Sequence, residues 1–243
     1  MKVVAQTPHD PGAFTEGLTF GGGALYESVG LNGQSELRQV DLASGRVTRR
    51  VKLDGQYFGE GLTFLKGRLY QLTWQNQLGF VYDEKSFAQL NTFNYPGEGW
   101  GLTNDGQLLI MSDGSDQLRF LDPVSLKVTG TLAVRDRGQP VRRLNELEYL
   151  NGQLYANVWY SAWIARIDPR SGQVTAWIDA RPLLRAAQRA GATDGGAVLN
   201  GIAYNPENKK LYLTGKLWPS LYEVQLVPGA ALPPVGGDSR LGN

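Results

Sequence analysis

The sequence has no cysteine and only one histidine, His9, among its 243 residues. Without cysteine there are no disulfides, no thiolate nucleophile and no Cys-ligated zinc or iron–sulfur site. With one histidine, a Ser-His-Asp triad or a His-rich metal site would have to rest on that residue alone. A surplus of charge is missing too, since 24 Lys+Arg against 23 Asp+Glu leave +1. Nucleic-acid binding by phosphate neutralisation needs a basic excess on some face, so the balance argues against it. No apolar run approaches the roughly 18–20 residues of a membrane span. The segment Met1–Thr7 lacks the apolar core of a signal peptide. These absences predict no nucleic-acid partner, no membrane partner, and a chain that is cytoplasmic or stands here without its leader. Hydrophobic residues make up 42% of the sequence, enough for a packed core.

What is present is repetition. The blocks Glu16-Gly17-Leu18-Thr19, Glu60-Gly61-Leu62-Thr63 and Trp100-Gly101-Leu102-Thr103 are near copies, and Asn145-Glu146-Leu147-Glu148 and Asn200-Gly201-Ile202-Ala203 are weaker ones. After each come a turn and an apolar pair: Leu25-Tyr26, Leu69-Tyr70, Leu108-Leu109, Leu154-Tyr155 and Leu211-Tyr212. A third short strand follows. In four copies it ends on an aspartate suited to an Asx turn, Asp41, Asp83, Asp122 or Asp168. A fourth strand closes these copies, as in Arg46–Leu53 and Gln173–Ile178.

Four short strands per unit of about 40–45 residues is the pattern of a propeller blade. The expectation is an all-β, five-bladed β-propeller of four-stranded antiparallel blades, forming one domain over residues 1–243. Blades start near 16, 60, 100, 145 and 200. The last copy has three strands, so Lys2–Thr7 is expected to supply its fourth and close the ring. Pro182–Arg189 reads as a short helix between blades four and five, with proline at a first-turn position. Residues 228–243 read as an irregular Gly/Pro-rich tail.

Equivalent positions in a propeller form rings about its axis. The block openers Glu16, Glu60, Trp100, Asn145 and Asn200 should encircle the channel mouth. Five residues beyond the first residue of each apolar pair lie Gly30, Trp74, Asp113, Trp159 and Lys216. Strands one and two are antiparallel, so both rings crowd one face of the disc. Together they hold carboxylates, amides, indoles and one ammonium, a set suited to acid/base work on a small polar substrate. Two close carboxylates raise one pKa by repulsion and burial. Read singly, each has a plainer role. Glu16 and Glu60 can cap strand amides, Trp74, Trp100 and Trp159 can pack blades, and Asn145 and Asn200 can form turns. Asp113 reads as a turn residue, Lys216 as a solvated charge and His9 as an exposed strand-end residue.

At these residues the sequence resembles the plant and bacterial glutaminyl-peptide cyclotransferases. The matching stretches are His9–Leu18, Tyr57–Thr63, Gly97–Leu102, Leu144–Tyr149, Asn157–Trp159, Leu199–Ala203 and Thr214–Pro219. As a set they span most of the chain. The resemblance implies a five-bladed propeller enzyme that cyclises an N-terminal glutamine to pyroglutamate with loss of ammonia. The implied substrate is a peptide or protein N-terminus, with no cofactor and no metal required. Carried over by position, the acidic pair falls on Glu16 and Glu60, the tryptophans on Trp100 and Trp159, the asparagine on Asn145 and the lysine on Lys216. For that reaction the expectation is Glu60 as proton shuttle, Glu16 as anchor of the α-amine and Lys216 as oxyanion donor, with the shuttle role between the two acids left open. Trp74 and Asn200 are counted with Trp100, Asn145 and Trp159 as substrate-binding. Many relatives are exported, which would make the compartment periplasmic or extracellular. A monomer is expected. Two other readings stay open. One is a metal-dependent lactonase or esterase holding Ca²⁺ with Glu16, Asn145, Asn200 and Asp113. The other is a non-enzymatic peptide- or glycan-binding propeller.

Overall fold

The first strand, β1 (Lys2–Pro8), pairs with the last strand among the described residues, which is how the ring is closed. A computed structural model describes residues 1–227; the tail expected over 228–243 lies outside the described residues. Blade one is β2 (Thr15–Gly21), β3 (Ala24–Val29), β4 (Glu36–Val40) and β5 (Val47–Lys52). Blade two is β6 (Gly59–Leu65), β7 (Arg68–Thr73), β8 (Leu78–Asp83) and β9 (Gln89–Asn94). Blade three is β10 (Leu102–Asn104), β11 (Leu109–Met111), β12 (Gln117–Leu121) and β13 (Val128–Ala133). A small hairpin that the repeat did not announce follows, β14 (Arg135–Asp136) with β15 (Gln139–Pro140). Blade four is β16 (Leu144–Leu150), β17 (Gln153–Val158), β18 (Trp163–Ile167) and β19 (Val174–Asp179). Helix α1 (Arg181–Arg189) follows. Blade five is β20 (Leu199–Asn205), β21 (Lys210–Gly215) and β22 (Ser220–Gln225), completed by β1.

All blades are antiparallel, and the inner strands β2, β6, β10, β16 and β20 touch in that order and back to β2. The core therefore sits in the seams between blades. Tyr26 and Leu37 of blade one pack on Leu62, Leu69 and Phe80 of blade two. Leu18 and Leu25 pack on Ala203, Tyr212 and Leu221 across the closing seam. Each fully buried leucine contributes roughly 1.5–3 kcal/mol. The outer strands β5 and β9 are mostly exposed or half-buried, as edge strands must be. The Asx turns form: the amides of Ser44, Ser86, Ser125 and Arg170 donate to Oδ1 of Asp41, Asp83, Asp122 and Asp168. Helix α1 lays Leu183, Leu184 and Ala187 into the seam of blades four and five.

His9 departs from expectation. It is buried, at 7% exposure, because the chain leaving β1 crosses the closing seam there. Its amide donates to the Pro219 carbonyl at 3.0 Å. Nδ1 lies 2.6 Å from the Trp218 carbonyl and Nε2 2.9 Å from Oε1 of Glu27. Both ring nitrogens face acceptors, so both must donate and the ring is an imidazolium. Burial opposes that charge, but Glu27 and the Trp218 carbonyl outweigh it and raise the pKa.

Candidate active site

In four blades the inner strand opens with an irregularity in its register. It falls at Glu16 in β2, at Glu60 and Gly61 in β6, at Asn145 and Glu146 in β16, and at Asn200 and Gly201 in β20. A bulge places an extra residue against the partner strand and re-aims its side chain. In blade three, Trp100 precedes β10 and its amide donates to the Ser112 carbonyl instead. The residue after each opener lets neighbouring inner strands approach: a Cβ on Gly101 would stand 2.0 Å from the Asn145 carbonyl oxygen. Blade four carries Glu146 in that place. Its carboxyl accepts the amides of Leu18 in blade one and Ile202 in blade five, at 3.3 and 2.8 Å, so it spans the axis beneath the openers. Glu148 repeats this further down, accepting the Tyr204 amide at 2.8 Å.

The second ring is fastened to the first by one recurring bond. The amides of Gly30, Trp74, Trp159 and Lys216 donate to the carbonyls of Phe14, Phe58, Arg143 and Val198 at 2.8–2.9 Å. Each acceptor stands two residues before the opener of its own blade. Gly30 has no side chain because a Cβ there would meet the Phe58 ring at 2.4 Å and Cγ of Glu16 at 3.0 Å.

These rings enclose a cavity of about 250 Å³. Glu16, Glu60, Trp74, Trp100, Asn145, Trp159 and Lys216 all line it. Asn200 does not. It is fully buried behind Glu16, donating to the Thr15 carbonyl at 2.9 Å and to Glu16 Oε2 at 3.5 Å. Asp113 turns away, pairing with Arg119 at 2.6 Å and accepting the Ser115 amide at 3.0 Å. The oxygen set of a Ca²⁺ site is therefore not assembled: Asp113 is committed to Arg119, and Lys216 occupies Glu16. Phe14, Phe58, Leu31, Tyr160 and Val198 also line the cavity. Sequence reasoning passed them over, yet Phe14, Phe58 and Val198 share one repeat position. Leu31 and Tyr160 follow Gly30 and Trp159 directly and hold left-handed backbone, φ 80° and 58°. That conformation costs a non-glycine residue roughly 1–2 kcal/mol and is over-determined by its surroundings.

Charge is concentrated at the inner end. Nζ of Lys216 donates to Oε1 of Glu16 at 2.5 Å and lies 4.5 Å above the Phe14 ring. The buried carboxyl groups of Glu16 and Glu60 lie close enough to shift each other's protonation. Burial pushes Glu60 well above the usual carboxylate range, and the facing Glu16 adds to it against the pull of Lys216. Burial also raises Glu16, but Lys216 and Glu60 oppose the rise. Of the pair, Glu60 is the one pushed furthest towards the protonated form, and Glu16 is the one paired with the Lys216 ammonium. Asn145 lines the cavity, and its Oδ1 is buried with no hydrogen-bond partner among the described residues.

The family model for glutamine cyclotransferase matches residues 1–226. The chain is 46% identical over 233 residues to a glutaminyl-peptide cyclotransferase of Arabidopsis thaliana, covering 95% of this chain and 72% of the relative. The crystal structure of Myxococcus xanthus glutaminyl cyclase is similar with a TM-score of 0.87 at 42% identity, over 92% of this chain and 95% of that one. The WD40 propeller domain of Doa1, at 9% identity and TM-score 0.52 over 87% of this chain and 63% of that one, shares the fold alone. The repeated blades, the cavity at one end of their axis and these matches agree: the chain belongs to the glutamine cyclotransferase family.

Proposed function

We propose that this cavity cyclises the N-terminal glutamine of peptides and proteins to pyroglutamate with release of ammonia, with Glu60 as the proton-transferring group. The activity comes from the family; the residue roles rest on the geometry. One observation carries them: two neighbouring buried carboxyls beside a buried ammonium, at the inner end of an aromatic-walled cavity. The neutral α-amine attacks Cδ of its own side chain. The lactam C–N bond forms, the bond to the amide nitrogen breaks, and that nitrogen leaves as ammonia. The amine loses one proton and the leaving nitrogen gains one, so the sum balances without water or cofactor.

Glu16, held as a carboxylate by Lys216, accepts a hydrogen bond from the substrate's neutral α-amine and so anchors it. Glu60 gives its proton to the leaving nitrogen and regains the one the amine sheds; such transfer contributes about 10²–10⁴-fold. Lys216 has two further N–H donors beyond its bond to Glu16. One reaches the carbonyl oxygen as it gains charge, worth roughly 3–4 kcal/mol for a positioned donor. Trp74, Trp100 and Trp159 wall the side chain and hold it folded back on its amine, which is most of the task when both reactants belong to one residue. Asn145 Oδ1 accepts the first peptide N–H. Tyr160, 37% exposed, marks the rim from which the rest of the substrate leaves.

The test is incubation of the protein with a Gln-initiated peptide and mass spectrometry. A loss of one ammonia, absent for the matched Asn-initiated peptide, supports the reading; an unchanged Gln peptide sinks it.

A further inference from the structure

We infer that Glu98 is a positioning residue of this site: its carboxylate holds Trp74 and Trp100 in one orientation and joins two aromatic stacks into a single wall. Oε2 of Glu98 accepts the indole N–H of Trp74 and that of Trp100, each at 2.8 Å. Oε1 accepts the side-chain amide of Gln75 at 3.2 Å. The two indoles come from different blades. Trp74 stands edge-on to Phe58 at 5.7 Å, and Phe58 to Phe14 at 6.2 Å. Trp100 stands edge-on to Trp159 at 5.4 Å, and Trp159 lies 4.5 Å from Tyr160. Glu98 is the group on which the two stacks meet.

The repeat shows what sets this position apart in blade three. Glu98 takes the place held by Phe14, Phe58, Arg143 and Val198 in the other blades. There the carbonyl accepts the second-ring amide of its own blade. In blade three the chain instead reaches sideways, and Gly99 donates its amide to the Trp74 carbonyl of blade two at 2.9 Å. The shift brings the carboxylate between the indoles. The loop has no slack, since a Cβ on Gly99 would stand 2.6 Å from the Tyr95 hydroxyl. Partial burial works against the charge of Glu98, but the bonds from Trp100, Trp74 and Gln75 hold its pKa below the ordinary value. Hydrogen bonds to an ionised acceptor are about twice as strong as neutral ones. An indole has one donor and a broad χ2 well, so one fixed acceptor per ring selects one pose.

The role rests on the cyclisation proposed above, and its test separates the two. Glu98→Leu keeps the bulk and removes the acceptor, and Glu98→Gln keeps an acceptor oxygen and removes the charge. Turnover of a Gln-peptide and the near-ultraviolet circular dichroism of the indoles are measured for both and for the unaltered protein, with thermal melts as a fold control. Glu98→Leu should lower kcat/KM about 10–100-fold, chiefly through kcat, and flatten the indole bands. Glu98→Gln should restore both to within about threefold. If Glu98→Leu does not fold, Glu98→Ala makes the same deletion. Unchanged kcat and unchanged indole bands in the deletion variant overturn the inference. So does Glu98→Gln as inactive as Glu98→Leu with intact bands, which would make the charge, not the orientation, the contribution. If the unaltered protein releases no ammonia, the cyclisation reading fails. The indole bands still decide whether Glu98 orients the tryptophans.

Discussion

Lys216 and Glu16 are 200 positions apart in sequence and 2.5 Å apart in space. Both side chains are buried, at 7% and 1% exposure. A buried pair contributes little net stability while intact, but removing one partner strands the other charge. Lys216→Met should therefore destabilise the protein by about 3–5 kcal/mol in urea melts. The double change Glu16→Gln with Lys216→Met should recover most of that loss while leaving ammonia release absent. A double variant as unstable as the single one would contradict the pairing argument.

Glu60→Gln should fold with an unchanged melting temperature, because an amide replaces, in the same space, an acid that burial and Glu16 push towards its neutral form. Its ammonia release should fall by at least about 10²-fold. Full activity in this variant would remove Glu60 from the proton path.

The same protonation state sets the pH profile of kcat/KM. The substrate amine must lose a proton near its usual value of about 7.7–8.0, which gives the acid limb. Glu60 must keep its own proton. Its pKa is raised, chiefly by burial and by Glu16, so its proton stays on to higher pH than on an ordinary glutamate and is lost as pH climbs, which gives the basic limb. A profile that only rises with pH would rule out a protonated Glu60.

His9 closes the ring as an imidazolium between Glu27 and the Trp218 carbonyl, with Asp10 and Arg38 beside them. Its folded pKa is raised above 6.5. Its contribution is therefore fully present below pH 6.5 and is lost as pH rises through the folded value. His9→Gln should flatten the fall in melting temperature over that window. An identical pH dependence in both proteins would show that His9 does not titrate there.

Glu148 sits on the axis with its pKa raised to about 8, chiefly by burial. The folded state binds its proton more tightly than the unfolded chain does. Stability from this group is present below pH 4.5 and is lost as pH rises towards about 8. Glu148→Gln should gain melting temperature relative to the parent at pH 8 and not at pH 4, read by thermal melts. No difference between the two pH values would place the Glu148 pKa in its normal range.

How far the sequence reached differs residue by residue. The blade period, the closing strand read at Lys2–Thr7 and the helix read at Pro182–Arg189 were legible to within a residue because each is a local pattern: alternation, an Asx turn, a proline in a first turn. The rings were legible for the same reason, since copies of one local pattern must occupy equivalent places about an axis. That alone brought Glu16, Glu60, Trp74, Trp100, Asn145, Trp159 and Lys216 to one cavity.

The chain by itself determined the number of modules and the face on which its acids, indoles and amine would gather. Only the tertiary structure decided the direction of each side chain within that face. Asn200 was drawn behind Glu16 by the Thr15 carbonyl, and Asp113 was drawn outward by Arg119. His9 was buried because the closing seam offered both its nitrogens an acceptor. Glu98 reached the indoles where Gly99, beside it, bonds to the Trp74 carbonyl of blade two. Each of these outcomes is a competition among hydrogen-bond partners on different blades. Repeat spacing fixes where a residue stands, but the partner that wins it is set by neighbours distant along the chain.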